Sequence, residues 1–385
     1  MTEIISSIEF QISLLLFVAL AGYLLASRIN QSVVIGEILV GILVGPSFLG
    51  LIMYTDFVRS IAHLGAIILL FVVGLEFKLR DIMNIRYGMV AIFGVIVPWL
   101  SGYSLAQLFG FDSGAAIFVG TALSATSIAI TANVLKEMGR LQTDTAKAII
   151  GTAVINDVLS LLALSVAGGA ASGTFSYLSA SIIVLKAVVF IVTGTLVGYA
   201  LVCRCITMID TTRMAQRYPE FAFIFAMAVA FSYAMAAELI GLSAIFGSFI
   251  AGVSLYGLHL RHSKHYKEGA EYLHIIFASI FFVSLGVLAD FKALTPVIGF
   301  SIVLLIVAIL SKVIACSIPA HLLGMRLKDS LILGFGVSPR GELAMSIALI
   351  GLNNNLIDQE IFVSLIMMSV LTTIITSAVL RNWFS

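Results

Sequence analysis

Residues 151–166, GTAVINDVLSLLALSV, set Asn156 and Asp157 side by side in the middle of apolar sequence. A charged side chain at the centre of a membrane helix costs about 2.5–3.5 kcal/mol or more, so a carboxylate there calls for a ligand or a partner. Other polar groups interrupt other apolar segments: Thr126 and Ser127 in TALSATSIAITANVL (121–135), Lys312 in AILSKVIA, and Pro339, Arg340 and Glu342 in GFGVSPRGELAMS (334–346). A carboxylate binds either a proton or a dehydrated alkali cation, and hydroxyl and carbonyl oxygens replace the water that the cation loses. These residue types therefore suit reversible exchange of a monovalent cation for a proton at one site. No phosphate-binding glycine motif, metal-ligand cluster or nucleophile–base pair is visible, so neither an enzyme nor a cofactor is expected.

The surrounding chain must place those groups in a bilayer. Of 385 residues, 61% are hydrophobic and 11% charged, and the mean hydropathy is +1.13, which describes an all-α polytopic membrane protein. The charges sit in short loops rather than on a basic face, so the net charge of +1 says nothing about nucleic acid and no nucleic-acid partner is expected. Cys203, Cys205 and Cys316 form neither a disulfide framework nor a metal quartet. Apolar windows of about 20 residues give about 13 transmembrane spans, near residues 8–28, 33–50, 60–76, 87–109, 114–135, 145–168, 178–203, 218–237, 241–259, 271–289, 295–321, 328–352 and 359–380. Basic residues from Arg28 and Lys78 through Arg140, Arg213, Arg261 and Arg381 fall on one side of these spans, and only Arg59 and Lys292 on the other. The positive-inside rule then puts the N-terminus outside a cell inner or plasma membrane and the C-terminus in the cytoplasm.

The halves of the chain echo each other. VVIGEILVGILVG (33–45) shares its small-residue rhythm with GLSAIFGSFIAGV (241–253), and LLFVVGLEFKL (69–79) resembles FFVSLGVLADFKAL (281–294). A first repeat near 8–168 and a second near 218–380, joined by one linker helix near 178–203, have opposite orientations, as in secondary transporters. Each repeat carries one break. Hydroxyls of Thr121, Ser124, Thr126, Ser127 and Thr131 compete for backbone bonds in the first, and Pro339 with Gly334, Gly336 and Gly341 loosens the second. Counted at 1.5 Å per residue, Asp157 lies roughly 18 Å from the cytoplasmic face, and Thr126, Ser127, Lys312, Pro339 and Arg340 lie in the same layer.

The stretches VVIGEILVGILVGPSFLGL, LGAIILLFVVGLEFKL, SATSIAITANVLKEMG, GTAVINDVLSLL, AILSKVIA and SPRGELAMSIALIGL resemble, in order and over nearly the whole chain, the NapA-type sodium/proton antiporters of the monovalent cation/proton antiporter-2 superfamily. The resemblance implies the NapA/NhaA fold, with two discontinuous helices crossing in a core near 87–168 and 295–380. It also implies a dimerisation panel near 8–76 and 218–289, a homodimer, and elevator-like motion of core against panel. On the matching positions it makes Asp157 the ion-binding aspartate, Thr126 and Ser127 the unwound crossing, and Lys312 the core lysine. Electrogenic members carry two adjacent aspartates; Asn156 stands in place of the first, as in electroneutral relatives, which pair that pattern with arginine where this chain has Lys312.

The expected cycle is Na+/H+ exchange, with Li+ or K+ as other cargo, in which Asp157 binds cation and proton in turn, with Thr126 and Ser127 as cation ligands. Asn156 orients Asp157 and cannot ionise, Lys312 offsets the negative ends of broken half-helices, and Arg340, Glu342 and Pro339 shape the break and its dipoles. One titrating carboxylate exchanging one proton for one monovalent cation moves no net charge. Glu37 and Glu76 are read as charged residues at span ends, Lys186 as a snorkelling lysine, and His63 and His274 as solvated or packed. Alternatives are a K+/H+ antiporter, a Kef-type potassium efflux protein, which resembles Gln-Asp at the motif, and an organic-solute symporter on a related fold.

Overall fold

A computed structural model describes residues 8–82, 84–171, 177–212, 217–218, 220–258, 263–289 and 297–383; Arg213, Arg261 and Lys292 of the charge alternation lie outside them. In lipid every backbone N–H and C=O must be satisfied within the protein, which helices do within each segment, and regular structure among the described residues is accordingly all helical. The first part of the chain forms α1 (Ile8–Ile29), α2 (Val33–Val44), α3 (Asp56–Gly74), α4 (Ile85–Leu108), α5 (Ser113–Ser124), α6 (Ile128–Glu137) and α7 (Asp144–Ala171). The helix α8 (Tyr177–Val197) runs through a π turn at Gly198–Val202 into α9 (Cys203–Asp210). The remainder forms α10 (Glu220–Leu239), α11 (Ala244–Ser254), α12 (Ser263–Val287), α13 (Ile298–Leu322), α14 (Leu327–Gly336), α15 (Glu342–Asn353) and α16 (Gln359–Trp383).

Among the described residues, ten helical segments are long and apolar enough to cross a membrane, with α5 and α6 forming one such segment. Three apolar helices are shorter: α2, α11 and α15. Helix ends are marked by local chemistry. Thr55 and Asp112 accept from Val58 N and Ala115 N to cap α3 and α5, and Gly139 takes a left-handed φ of 64° just past α6.

The helices pack as two groups. One contains α1, α2, α3, α10, α11 and α12; the other contains α4 to α7 and α13 to α16, and α8 touches both through α11 and α7. In the first group α2 meets α12 where Gly41 opposes Gly286, and α3 meets α11 where Gly74 opposes Gly252. A Cβ on any of the four would collide with the facing backbone, so these contacts are backbone against backbone. Exchanging the halves of the chain turns one contact into the other.

Two charged side chains, Arg340 and Lys312, rank among the largest that are wholly buried. Glu37, read from sequence as an interfacial charge, is 1% exposed instead, because α1 passes so close at Gly22 that a side chain there would strike the Glu37 backbone. His274 is buried as expected of a packed histidine, and Lys186 is exposed on α8.

Candidate functional site

The two sequence-predicted breaks meet. Between α5 and α6 the chain is extended through Ala125 and Ser127, and between α14 and α15 it opens at residues 337–341. Ser127 N donates to Pro339 O at 2.8 Å, and the Thr131 hydroxyl donates to Gly336 O at 2.5 Å. Backbone groups released by one break are thus bonded by the other. Gly341 has to lack a side chain, since a Cβ would fall on Ser127 Oγ.

Each break leaves helix carbonyls whose partial negative charge must be met. Lys312, on α13 and 0% exposed, donates to Ser124 O at the end of α5 at 2.7 Å and to Gly94 O on α4 at 2.7 Å. Gly94 O is available because Pro98, four residues on in α4, has no N–H to offer it. The third ammonium proton goes to Asn156: with its amide oriented to satisfy both ends, Nδ2 donates to Ala91 O at 2.9 Å and Oδ1 accepts from Lys312 Nζ at 2.7 Å and Thr126 Oγ1 at 2.8 Å. Lys312 is therefore saturated by three neutral oxygens. Arg340 is also met by carbonyls alone: Nε and Nη2 donate to Leu123 O, Nη2 to Ala308 O and Nη1 to Ser338 O.

Asp157 faces elsewhere. Successive residues of a helix point about 100° apart, so Asn156 enters the polar scaffold while Asp157 turns onto a chamber of about 180 Å³ with Thr126, Ser127 and Ser346. Its carboxylate has no hydrogen bond or ion pair among the described residues. Ser127 is the N-cap of α6 but makes no side-chain cap bond, which leaves its hydroxyl on the chamber wall. The chamber also receives the N-terminal ends of α6 and α15, through Ile128 and Glu342. It is 7% exposure, not enclosure, that Asp157 retains: the carboxylate is shielded yet reachable.

Sequence-predicted site residues thus divide into chamber and scaffold. Asp157, Thr126 and Ser127 come together on the chamber; Asn156, Lys312, Arg340 and Pro339 form the scaffold behind it. Glu342 parts from Arg340 and lies against His63 Nδ1 on α3 at 2.5 Å. That contact joins residues 279 positions apart, and no local spacing signals it. Ser160, whose hydroxyl reaches Ser124 O at 3.3 Å, and the carbonyls of Gly94 and Ala91 were also missed; a proline inside an apolar span is the sequence signal for the Gly94 carbonyl.

The family model for the transmembrane sodium/hydrogen exchanger matches residues 14–384. The chain belongs to the sodium/hydrogen exchanger family. This exchanger is 32% identical over 382 residues to the Na+/H+-K+ antiporter GerN of Bacillus cereus, covering 97% of this chain and 96% of that one. It is 30% identical over 372 residues to an Na+/H+ antiporter of Enterococcus hirae, covering 96% of each. Its fold is that of the sodium proton antiporter MjNhaP1 of Methanocaldococcus jannaschii, with a TM-score of 0.69 at 18% identity, covering 98% of this chain and 97% of that one.

Proposed function

We propose that the exchanger is a monovalent cation/proton antiporter, with Na+/H+ exchange as its main reaction, in which Asp157 carries cation and proton alternately. The observation that carries this reading is the unpaired Asp157 carboxylate on a chamber at the junction of two broken helices, beside the Thr126 and Ser127 hydroxyls. The carboxylate oxygens, Ser127 Oγ, Thr126 Oγ1 and unwound backbone carbonyls are hard ligands for an alkali cation. A proton on Asp157 removes the anionic ligand, so the two cargoes exclude each other.

Alternation of access is assigned to motion of the group containing α4–α7 and α13–α16, as a core, against the group containing α1–α3 and α10–α12, as a dimerisation panel. The division of packing supports this elevator reading, as does the joining of the two breaks into one unit. Thirteen spans follow when α2, α11 and the interrupted α14–α15 pair are added to the ten longer segments. The N-terminus is then outside, and the chamber lies toward the outer side, where Glu238 and Ser243 line it. Asn156 cannot ionise and Lys312 has only neutral partners, which favours electroneutral exchange of one cation for one proton. The name of the GerN relative, an Na+/H+-K+ antiporter, supports K+ as a second cargo.

The test is cation-driven proton movement in proteoliposomes. Asp157→Asn and Asp157→Ala are expected to abolish exchange and cation binding in protein that remains folded. Exchange near the wild-type level in folded Asp157→Ala protein would remove the proposed site.

A further inference from the structure

Two cavities lie end to end on the outer side of Asp157. The outer one, about 260 Å³, is lined at its rim by Tyr54, Asp56 and Arg59; the inner one is the Asp157 chamber. His63, Phe281, Glu342 and Ser346 line both, so these four residues form the waist between rim and chamber. At that waist His63 Nδ1 and a Glu342 carboxylate oxygen are 2.5 Å apart, with their side chains 32% and 33% exposed. His63 belongs to α3 and Glu342 begins α15, so the contact spans the two packing groups. The other Glu342 oxygen, Oε2, is buried without a hydrogen-bond partner.

We infer that His63 is a positioning residue of the exchange cycle that acts through Glu342, the two forming a proton-operated latch on the outer approach to Asp157. The inference rests on the exchange reading above. Histidine is the side chain whose charge changes across the physiological pH range. With His63 protonated, Glu342 is neutralised and tied to α3, and the waist is held. When His63 loses its proton the tie weakens, and Glu342 becomes a second negative charge that draws a monovalent cation from the rim toward Asp157. Other charged groups around His63 are Arg59 on its own helix, Asp56 at the rim, Glu238 at the end of α10 and Asp157 in the chamber. Toward the waist, the described residues of α11 and α12 that line the two cavities are Ala244, Ile245, Phe281, Ser284 and Leu285, none of them a cation that would compete with His63 for Glu342. Other polar ties between the groups, Glu137 with Ser32 Oγ and Val33 N, Lys136 with Glu271, Gln142 with Glu76 O and Arg381 with Asn30, lie at the opposite end of the assembly and leave this path free.

The experiment is the apparent KM for Na+ in proteoliposomes at pH 6 and pH 8.5, for monodisperse wild-type, His63→Gln, His63→Arg, Glu342→Gln and His63→Gln/Glu342→Gln proteins. Proton competition at Asp157 raises KM at low pH in all of them; the latch adds roughly two- to fivefold, the size of a half-exposed ion pair. His63→Gln is expected to lower KM at pH 6 by that factor and to match wild type at pH 8.5. His63→Arg, permanently charged, is expected to raise KM at pH 8.5 and to match wild type at pH 6. Glu342→Gln removes the added pH step from the opposite end, with KM high throughout, and the double variant follows Glu342→Gln. Profiles of His63→Gln and His63→Arg that superimpose on an active wild type overturn the latch and leave the exchange reading standing. A folded wild type with no cation-dependent proton movement overturns the exchange reading, and the latch with it.

Discussion

Replacing Lys312 with methionine removes three hydrogen bonds but does not orphan three oxygens. Ser124 O keeps the Ser160 hydroxyl at 3.3 Å, and Asn156 Oδ1 keeps Thr126 at 2.8 Å. Gly94 O alone loses its donor outright, because Pro98 has no N–H for it. An unsatisfied buried carbonyl costs about 1–3 kcal/mol, and relief of the buried ammonium's desolvation offsets part of that, so Lys312→Met is expected to destabilise the fold by about 1 kcal/mol. Pro98→Ala supplies an N–H to Gly94 O. In the Pro98→Ala background the same Lys312→Met change is expected to cost about 1 kcal/mol less. The assay is a double-mutant cycle from reversible unfolding in mixed detergent micelles. Independent sites add to within about 0.5 kcal/mol, and a coupling smaller than that would refute the assignment of Gly94 O as the proline-released acceptor of Lys312.

Thr126→Val is expected to raise the KM for Na+ about tenfold, by removing a hard ligand and the Asn156 partner, while Thr126→Ser keeps near wild-type affinity; equal KM values for the two would contradict a ligand role. The cation gradient that nulls a fixed pH gradient is expected to stay constant as the membrane potential is clamped at several values, and to move with voltage in Asn156→Asp, which sets a second carboxylate against Lys312. Ser32→Cys with Glu137→Cys, replacing a 2.7 Å contact between the two packing groups, is expected to stop exchange when bridged by a short reducible cross-linker and to resume it on reduction. Unchanged exchange after verified bridging would rule out sliding of one group against the other.

Both breaks were legible in the sequence because their causes are local: hydroxyls competing for backbone bonds around Thr126 and Ser127, and a proline among glycines at Pro339. Asn156 and Asp157 were legible as polar neighbours, yet which of them faces the cavity depends on how α7 is rotated against α4 and α5, which apolar neighbours encode only collectively. Lys312 was expected to offset helix dipoles, and it does lie on Ser124 O; its use of the Gly94 carbonyl needed the proline rule applied to a different helix. Glu37 was misread because a charge near a span end in one dimension says nothing of a glycine on the neighbouring helix. Most opaque was His63 with Glu342, since an ion pair between distant helices leaves no periodicity behind.

The bonds from Ser127 N to Pro339 O and from Thr131 Oγ1 to Gly336 O fasten the two interruptions to each other. They act as a rivet, tying the position of each interruption to that of its counterpart. On the proposed elevator reading, the ligands around Asp157 are held by the crossing and travel with it. On that reading the pocket need not be dismantled and rebuilt in each turnover, and the resistance to motion lies where one packing group would slide on the other.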